Sequence, residues 1–148
     1  MGELATPYNE PGAKIFTATS FDERHAPDTI IDGDDTTFWT TTGSYPQEFV
    51  VKLGAVSNIQ AIKSWTTNVR YMSVERCEAS QPNAWDPVCE IDVDDTAGQM
   101  QMVVKPTGDP DRTRAQFLRF RITSGWDDYA TVHKVSNPGP LRAMMRRC

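Results

Sequence analysis

The chain has 148 residues, of which 39% are hydrophobic and 24% are charged, and its formal net charge is −5. This length suits one globular domain, and the hydrophobic fraction excludes a disordered chain. The negative charge gives no general attraction to nucleic acid or to anionic membranes, and no apolar run approaches the roughly 18 residues that a membrane-spanning helix needs.

Short segments that alternate apolar and polar residues follow one another along the chain, a pattern typical of half-buried β-strands. Turn-forming groups such as TTGSYPQ, LGAVSN, QPNAWDP and SGWDD separate them, and no segment between these turns has the periodicity of a helix. The predicted strands are 13–19, 48–53, 58–67, 69–77, 99–105, 116–124 and 129–136.

Several short strands at near-regular spacing predict an all-β fold, an antiparallel β-sandwich of the jelly-roll type. No internal repeat and no second domain is visible in the sequence. We therefore expect one domain over residues 13–137. The Pro/Gly-rich segment 1–12 and the basic segment 138–148 are expected to be flexible ends.

The segment QFLRFRITS indicates which side of a strand faces the core. Its alternate residues Leu118, Phe120 and Ile122 would point inward. Arg119 and Arg121 would then point to the other face, where large side chains can form a contact surface for a partner protein.

The three cysteines, Cys77, Cys89 and Cys148, have no spacing typical of a metal site. Cys77 and Cys89 are placed so that they could bridge a hairpin. However, no apolar signal-peptide core follows Met1, so we expect a cytosolic protein with reduced thiols.

The stretch TIIDGDDTTFW, from Thr29 to Trp39, crowds three aspartates beside a predicted core residue. Carboxylate groups placed so near to one another repel, and a bound Ca²⁺ offsets that repulsion. Ca²⁺ takes about six to eight oxygen ligands from carboxylates, hydroxyls and carbonyls. Gly33 permits a sharp bend, but the spacing is not that of an EF-hand, which would need glycine at Thr37. The residue types leave two alternatives open, a calcium loop of another kind or an ordinary charged turn.

The sequence offers little for catalysis. It contains two histidines, His25 and His133, and no Gly-x-Ser-x-Gly, His-Glu-x-x-His or phosphate-loop motif. His25 lies in a polar turn and His133 in a predicted strand, so we interpret both as surface or packed side chains. We therefore predict that the protein is not an enzyme.

The segment APDTIIDGDDTTFWTT resembles the signature loop of the discoidin, or F5/8 type C, superfamily of galactose-binding-like domains. PQEFVVKLG, AQFLRFRITSG and YATVHKVS resemble three later strands of these domains, whose loop commonly binds a structural Ca²⁺. The resemblance implies that Asp32 is a side-chain ligand and Thr37 a hydroxyl and carbonyl ligand. Thr29, which replaces the usual Asn, and Asp34 would contribute backbone carbonyls, with a further oxygen near Ser136.

Two longer blocks, ATSFDERHAPDTIIDGDDTTFWTTTGSYPQEFVV and FLRFRITSGWDDYATVHKVS, resemble members of this superfamily that are subunits of the ciliary intraflagellar transport complex B. That resemblance implies a non-catalytic subunit in the cytoplasm and the cilium or flagellum. Its implied partner is a Rab-like small GTPase, intraflagellar transport protein 27, through which the pair joins other complex B subunits. The candidate contact residues are Thr36, Thr40, Arg119 and Arg121.

A carbohydrate- or lipid-binding module is the alternative function, because many relatives in the superfamily bind such ligands with loops at the ends of the sandwich. A site of that kind needs exposed aromatic side chains, and Tyr45, Trp85 and Trp126 lie in predicted loops. The secreted relatives normally tie their ends with a disulfide, whereas this chain has Cys148 at one end and no cysteine near the other. We therefore favour the assembly subunit.

Overall fold

The computed structural model describes residues 6–7, 13–20, 22–31, 36–107 and 114–137. These residues form two short 3₁₀ helices, Glu23–His25 and Pro27–Ile31, and ten β-strands. The strands are β1 (Thr6–Pro7), β2 (Lys14–Ala18), β3 (Trp39–Thr40), β4 (Gln47–Asn58), β5 (Ala61–Thr67), β6 (Val69–Cys77), β7 (Asp86–Asp92), β8 (Gln101–Pro106), β9 (Arg114–Gly125) and β10 (Thr131–Asn137).

Two antiparallel sheets make up the molecule. In the first, which we call the β10 sheet, the strand order is β1–β10–β5–β8, and β3 also pairs with β10. In the second, the β9 sheet, the order is β2–β4–β9–β6–β7. The two-sheet antiparallel arrangement confirms the predicted all-β sandwich.

The core lies between the two sheets and includes the alternate residues of β9. Leu118, Phe120 and Ile122 are fully buried, as the alternation in the sequence predicts. Phe49 stacks on Phe120 with ring centroids 4.9 Å apart, and Trp39 meets Phe49 edge-on at 5.3 Å. Burying each such apolar side chain contributes about 1.5–3 kcal/mol, so this stack is a main source of stability.

The sequence pattern misses the two-residue strands β1 and β3 and the longer strand β7, and it misplaces one turn. β7 was not predicted because it is an edge strand in which only Ile91 is buried, so it lacks a regular apolar alternation. Pro87 has no backbone N–H to donate. This is tolerated in an edge strand, because no further strand pairs with its outer side. The segment LGAVSN, predicted as a turn, lies inside β4, where the pairing with β9 shifts register between Lys52 and Ser57.

One part of the predicted N-terminal flexible end is a strand. Within the segment 1–12, Thr6–Pro7 pairs with the end of β10, opposite Asn137 and Ser136. The rest of that segment and the segment 138–148 lie outside the described residues. In the part of the chain that the structure describes, no helix is long and apolar enough to cross a membrane.

Cys77 and Cys89 are free thiols on adjacent strands of the β9 sheet. The register places Cys89 opposite Val74, three residues away from Cys77, so the two do not face each other across the ladder. Burial raises the pKa of the Cys89 thiol to about 11. Because the thiolate is the reactive form, this cysteine should react slowly at neutral pH.

Candidate calcium loop and partner surfaces

The acidic loop begins at the 3₁₀ helix Pro27–Ile31, which its apolar residues anchor. Ile30 and Ile31 are buried in the core, and the helix packs against β10. The Thr29 hydroxyl donates to the carbonyl oxygen of Ala26 at 2.7 Å, which ties the helix to the turn before it. Thr29 therefore has a fixed position at the start of the loop.

The loop ends beside the same strand. Thr37 is half-buried and lies two residues before β3, which pairs with β10. The next residue, Phe38, stacks on His25 with ring centroids 4.1 Å apart and contacts His133 at 5.0 Å. Both histidine rings thus pack against Phe38, in agreement with the prediction of surface or packed side chains. His133 links this end of the loop to β10.

Ser136 on β10 carries a buried hydroxyl without a hydrogen-bond partner among the described residues. Leaving a buried donor or acceptor unsatisfied costs about 1–3 kcal/mol, so this atom is expected to have a partner in the complete molecule. The strand that carries it is also the strand against which both ends of the acidic loop pack. A hydroxyl oxygen here fits the oxygen donor set that Ca²⁺ prefers.

The two aspartates expected as ligands, Asp32 and Asp34, lie outside the described residues. Within the described ranges, no group of three or more His, Cys, Asp or Glu residues could hold a metal ion. The predicted carboxylate ligands come from residues 32–35, and the ligand set stays a prediction.

The two pairs of candidate contact residues lie on different sheets. Thr36 is exposed, and Thr40 is half-buried on β3, opposite Thr131 of the β10 sheet. Arg119 and Arg121 lie on β9, on the face of the β9 sheet that points away from the core. We call these the loop surface and the β9 outer face, and they are two separate candidate interfaces.

On the β9 outer face, Arg119 is held in place by two neighbours. Its guanidinium contacts Glu75 Oε1 through Nη2 at 2.6 Å and through Nε at 2.8 Å. The same group lies over the ring of Trp85, 4.7 Å from its centroid. Arg121 is half-buried, and its Nε is covered without a hydrogen-bond partner in the described part of the chain.

The same face carries a small apolar cluster outside the main core. Val50, Cys77 and Phe117 are buried together there, and Trp85 packs against them. Phe16 meets the edge of Phe117 with ring centroids 5.1 Å apart, although 45% of Phe16 remains exposed. The β9 outer face therefore combines exposed aromatic surface with two arginines, of which Arg119 is held in place by Glu75 and Trp85.

At one end of the sandwich, the loop between β3 and β4 and the loop between β9 and β10 line an open cleft of about 740 Å³. Tyr45 and Trp126, two of the three aromatics proposed for sugar binding, line it together. Trp85 does not, because it lies on the β9 outer face. Asp127 and Tyr129 also line the cleft, and neither was predicted as a site residue, although the turn SGWDDY contains both.

Hydrogen bonds from distant parts of the chain fix the cleft. The Tyr45 hydroxyl donates to the carbonyl oxygen of Asp127 at 3.0 Å. The Trp126 backbone N–H donates to Asn68 at 2.8 Å, and its indole N–H donates to the carbonyl oxygen of Val93 at 2.8 Å. Burial, followed by the nearby Asp127 charge, raises the pKa of Tyr45.

A second network fixes the β3–β4 wall of the cleft. The Ser20 hydroxyl donates to Gln47 Oε1 at 2.5 Å and accepts from the Thr42 N–H at 3.0 Å. The Trp39 indole N–H donates to the Ser20 carbonyl at 2.9 Å, and Gln47 Nε2 donates to the Ser44 carbonyl at 2.7 Å. This wall is therefore tied to the core residue Trp39.

Comparison with known proteins places the sequence among intraflagellar transport proteins. The profile of the F5/8 type C domain matches residues 15–136. Intraflagellar transport protein 25 of Chlamydomonas reinhardtii is 35% identical over 130 residues, which cover 88% of this chain and 67% of that protein. The Mus musculus homolog is 38% identical over 130 residues (86% and 87%), and the Homo sapiens homolog is 37% identical over 132 residues (88% of each).

Comparison of the structure with solved structures finds domains of the same fold. A family 32 CBM from Clostridium perfringens, in complex with galactose, has a TM-score of 0.70 at 17% identity, covering 90% of this chain and 96% of that one. Another Clostridium perfringens CBM, in complex with GalNAc-β-1,3-galactose, has a TM-score of 0.72 at 20% identity, with coverage of 89% and 97%. At these identities the likeness establishes the shared fold alone.

Proposed function

Because the chain belongs to the F5/8 type C domain family and is a homologue of intraflagellar transport protein 25, we propose that it is a non-catalytic subunit of intraflagellar transport complex B. The observation that carries this proposal is sequence identity of 35% to 38% over most of the chain. These relatives are transport proteins rather than enzymes, which confirms the prediction that the chain is not an enzyme.

The proposed partner is a Rab-like small GTPase, intraflagellar transport protein 27, in a one-to-one heterodimer. Through this pair the chain would join other complex B subunits in the cytoplasm and in the cilium or flagellum. A stable pair of this kind buries about 800 Å² on each partner, which requires a broad surface rather than a single loop tip.

The β9 outer face suits such a partner better than the loop surface does. Interfaces are enriched in aromatic residues and arginine, and this face has Phe16, Trp85, Arg119 and Arg121. The salt bridge to Glu75 holds Arg119 in one position, which lowers the entropy that binding would cost. The loop surface, with smaller polar side chains, is the second candidate.

We propose a mainly structural role for calcium at the acidic loop. Asp32 and Thr37 would hold the ion together with the carbonyls of Thr29 and Asp34, and the buried hydroxyl of Ser136 supports a further oxygen on β10. An ion that binds only the folded chain stabilises it by mass action. It would also relieve the repulsion between the aspartates, which otherwise opposes folding.

A carbohydrate-binding module remains the alternative, and one observation favours it. Tyr45 and Trp126 line one cleft in a fold whose solved relatives include galactose complexes. Against this, the guanidinium of Arg70 lies 4.8 Å from the centroid of the Trp126 ring and covers one of its faces. The indole is therefore only partly available for stacking on a sugar.

Two measurements separate these functions. In size-exclusion chromatography, a mixture of this chain and the Rab-like GTPase should elute as a one-to-one complex, and added sugars should not change its elution. On a glycan array, the isolated chain should give no signal. A clear glycan signal without complex formation would show that the carbohydrate-binding function is the correct one.

A further inference from the structure

The cleft between residues 41–45 and 125–129 has an acidic and aromatic lining. Asp127 and Asp128 are exposed at its rim, and no basic side chain occurs among the described residues that line it. Three aromatic rings surround the same space, and large fractions of Trp126 (42%) and Tyr129 (48%) are exposed. The cleft therefore presents negative charge and uncovered ring surface to solvent.

The walls of the cleft are fixed before any ligand arrives. Tyr45 and Trp126 both donate hydrogen bonds to backbone carbonyls of distant residues. The Asp127 carboxylate accepts from the backbone N–H of Asp128 at 2.7 Å, which orients one of its oxygens. A site formed in advance loses little conformational entropy when a ligand binds.

This chemistry selects a cation. The faces of aromatic rings attract positive charge, and a carboxylate pairs best with a guanidinium, which can donate two parallel hydrogen bonds. The Trp126 ring already accepts a guanidinium on one face, from Arg70. An anion would be repelled by Asp127 and Asp128, and a neutral sugar would gain no attraction from their negative charge.

We propose that the cleft binds an exposed arginine side chain of a partner protein, with the guanidinium at Asp127 and Asp128 and the aliphatic part against Trp126 and Tyr129. A volume of about 740 Å³ exceeds a single guanidinium and accommodates the flanking peptide as well. Arginine suits this site better than lysine because its planar group stacks on rings and pairs bidentately. The site does not depend on which protein supplies the arginine, nor on the β9 outer face.

Nuclear magnetic resonance of the full chain tests the site without a partner protein. The probe is the Trp126 indole N–H resonance, assigned with Trp126→Phe and followed during titration with N-acetyl-arginine-N-methylamide. Its neutral citrulline counterpart and methyl β-galactoside are the matched ligands. The arginine compound should shift the resonance in a saturable way that weakens with added salt, whereas the other two should not.

A pair of double variants identifies the carboxylates. Asp127→Asn with Asp128→Asn should weaken arginine binding by about tenfold, and an Asn oxygen can still accept the backbone bond that orders this turn. Glu78→Gln with Asp86→Asn removes two carboxylates near Arg76, towards the other end of β6, and should leave the binding unchanged.

Three results would overturn the proposal. Equal shifts from arginine and citrulline would mean that the charge is not recognised. A saturable shift from the galactoside alone would assign the cleft to sugars, and no shift from any ligand would mean that the cleft is not a site. None of these results bears on pairing with the GTPase, which is measured separately.

Discussion

Tyr45 lies against Gly125 so closely that no side chain fits on the glycine. A β-carbon at Gly125 would stand 2.6 Å from Tyr45 Cζ, closer still to Tyr45 Oη, and 2.9 Å from the carbonyl oxygen of Asn68. One wall of the cleft thus requires glycine because the other wall supplies a tyrosine.

We expect Gly125→Ala to lower the free energy of unfolding by about 1–3 kcal/mol, because the added methyl group forces the Tyr45 ring to move. In a double-mutant cycle measured by denaturant unfolding, Tyr45→Ala should recover part of that loss, since it removes the nearest atoms. Gly98→Ala is the control. Gly98 has a φ of +84° and open space around it, so Gly98→Ala should lower the free energy of unfolding through backbone strain alone. That loss should be additive with the loss caused by Tyr45→Ala.

Calcium should raise the melting temperature of the protein, and Asp32→Ala should abolish that rise. Ser136→Ala should reduce the rise if the buried hydroxyl contributes an oxygen, while leaving the calcium-free protein as stable or more stable. Ser64→Ala is a matched control, because Ser64 on neighbouring β5 also has a buried hydroxyl without a partner among the described residues. It should leave the calcium response unchanged.

Differential scanning fluorimetry with chelator and with millimolar calcium measures these shifts. A wild-type melting temperature that responds to neither would mean that residues 32–35 form an ordinary charged turn. A calcium response that survives Asp32→Ala would place the ion elsewhere in the molecule.

Variants of the β9 outer face should weaken binding to the Rab-like GTPase more than variants of the cleft. Arg119→Ala combined with Arg121→Ala should lower the affinity by at least about tenfold, as expected for central interface arginines. Trp126→Ala should have a smaller effect. Calorimetry gives the affinities, and thermal unfolding of each variant shows whether it still folds.

A different ranking would move the interface. If Thr36→Lys abolished binding while the double arginine variant bound normally, the loop surface would be the contact with the GTPase. If Trp126→Ala had the largest effect, the cleft itself would form the centre of that contact.

The stability of the protein should fall at alkaline pH partly because of Cys89. Burial raises the pKa of this thiol from 9.0 to about 11, so the folded chain holds the proton more tightly than the unfolded chain does. Its contribution is complete below pH 9, and it is lost as the pH rises to about 11. Two pKa units correspond to at most about 3 kcal/mol.

Denaturant unfolding of the wild type and Cys89→Ala in reducing buffer tests this effect. The difference in unfolding free energy between the two should shrink as the pH rises from 9.0 towards about 11. Cys77→Ala is the control, because it shows how much the unfolding free energy changes when a cysteine side chain other than Cys89 is removed. A difference that stays constant across this range would contradict the raised pKa.

Local sequence patterns predict the core of this fold better than its surfaces. The nine-residue segment QFLRFRITS alone shows the alternation of Leu118, Phe120 and Ile122 with polar residues, because one face of β9 is buried. The edge strand β7 was not predicted because most of its residues are exposed to water. Both polar and apolar residues are tolerated at such positions, so no alternating pattern forms. For His25 and His133 the sequence predicts only that they are surface or packed side chains. It does not predict their contact partner, because the Phe38 ring that both contact comes from a third segment.

The cleft could not be predicted because its walls come from distant parts of the chain. Tyr45 bonds to Asp127, 82 residues away, and Trp126 bonds to backbone carbonyls of Asn68 and Val93. Backbone acceptors have no sequence signature, so no pattern near SGWDD reveals what holds that turn. For the calcium loop, in contrast, the sequence motif carries most of the information, including the expected oxygen near Ser136. The structure adds that the Ser136 hydroxyl is buried without a partner among the described residues.

Affinity purification of the tagged chain from ciliated cells, with quantitative mass spectrometry, shows directly whether the chain is a transport subunit. We expect the Rab-like GTPase to be recovered in about equal amount to the chain, with other complex B subunits below it. Washing with galactose should not release these proteins. Recovery of glycoproteins that galactose elutes, without the GTPase, would contradict this expectation.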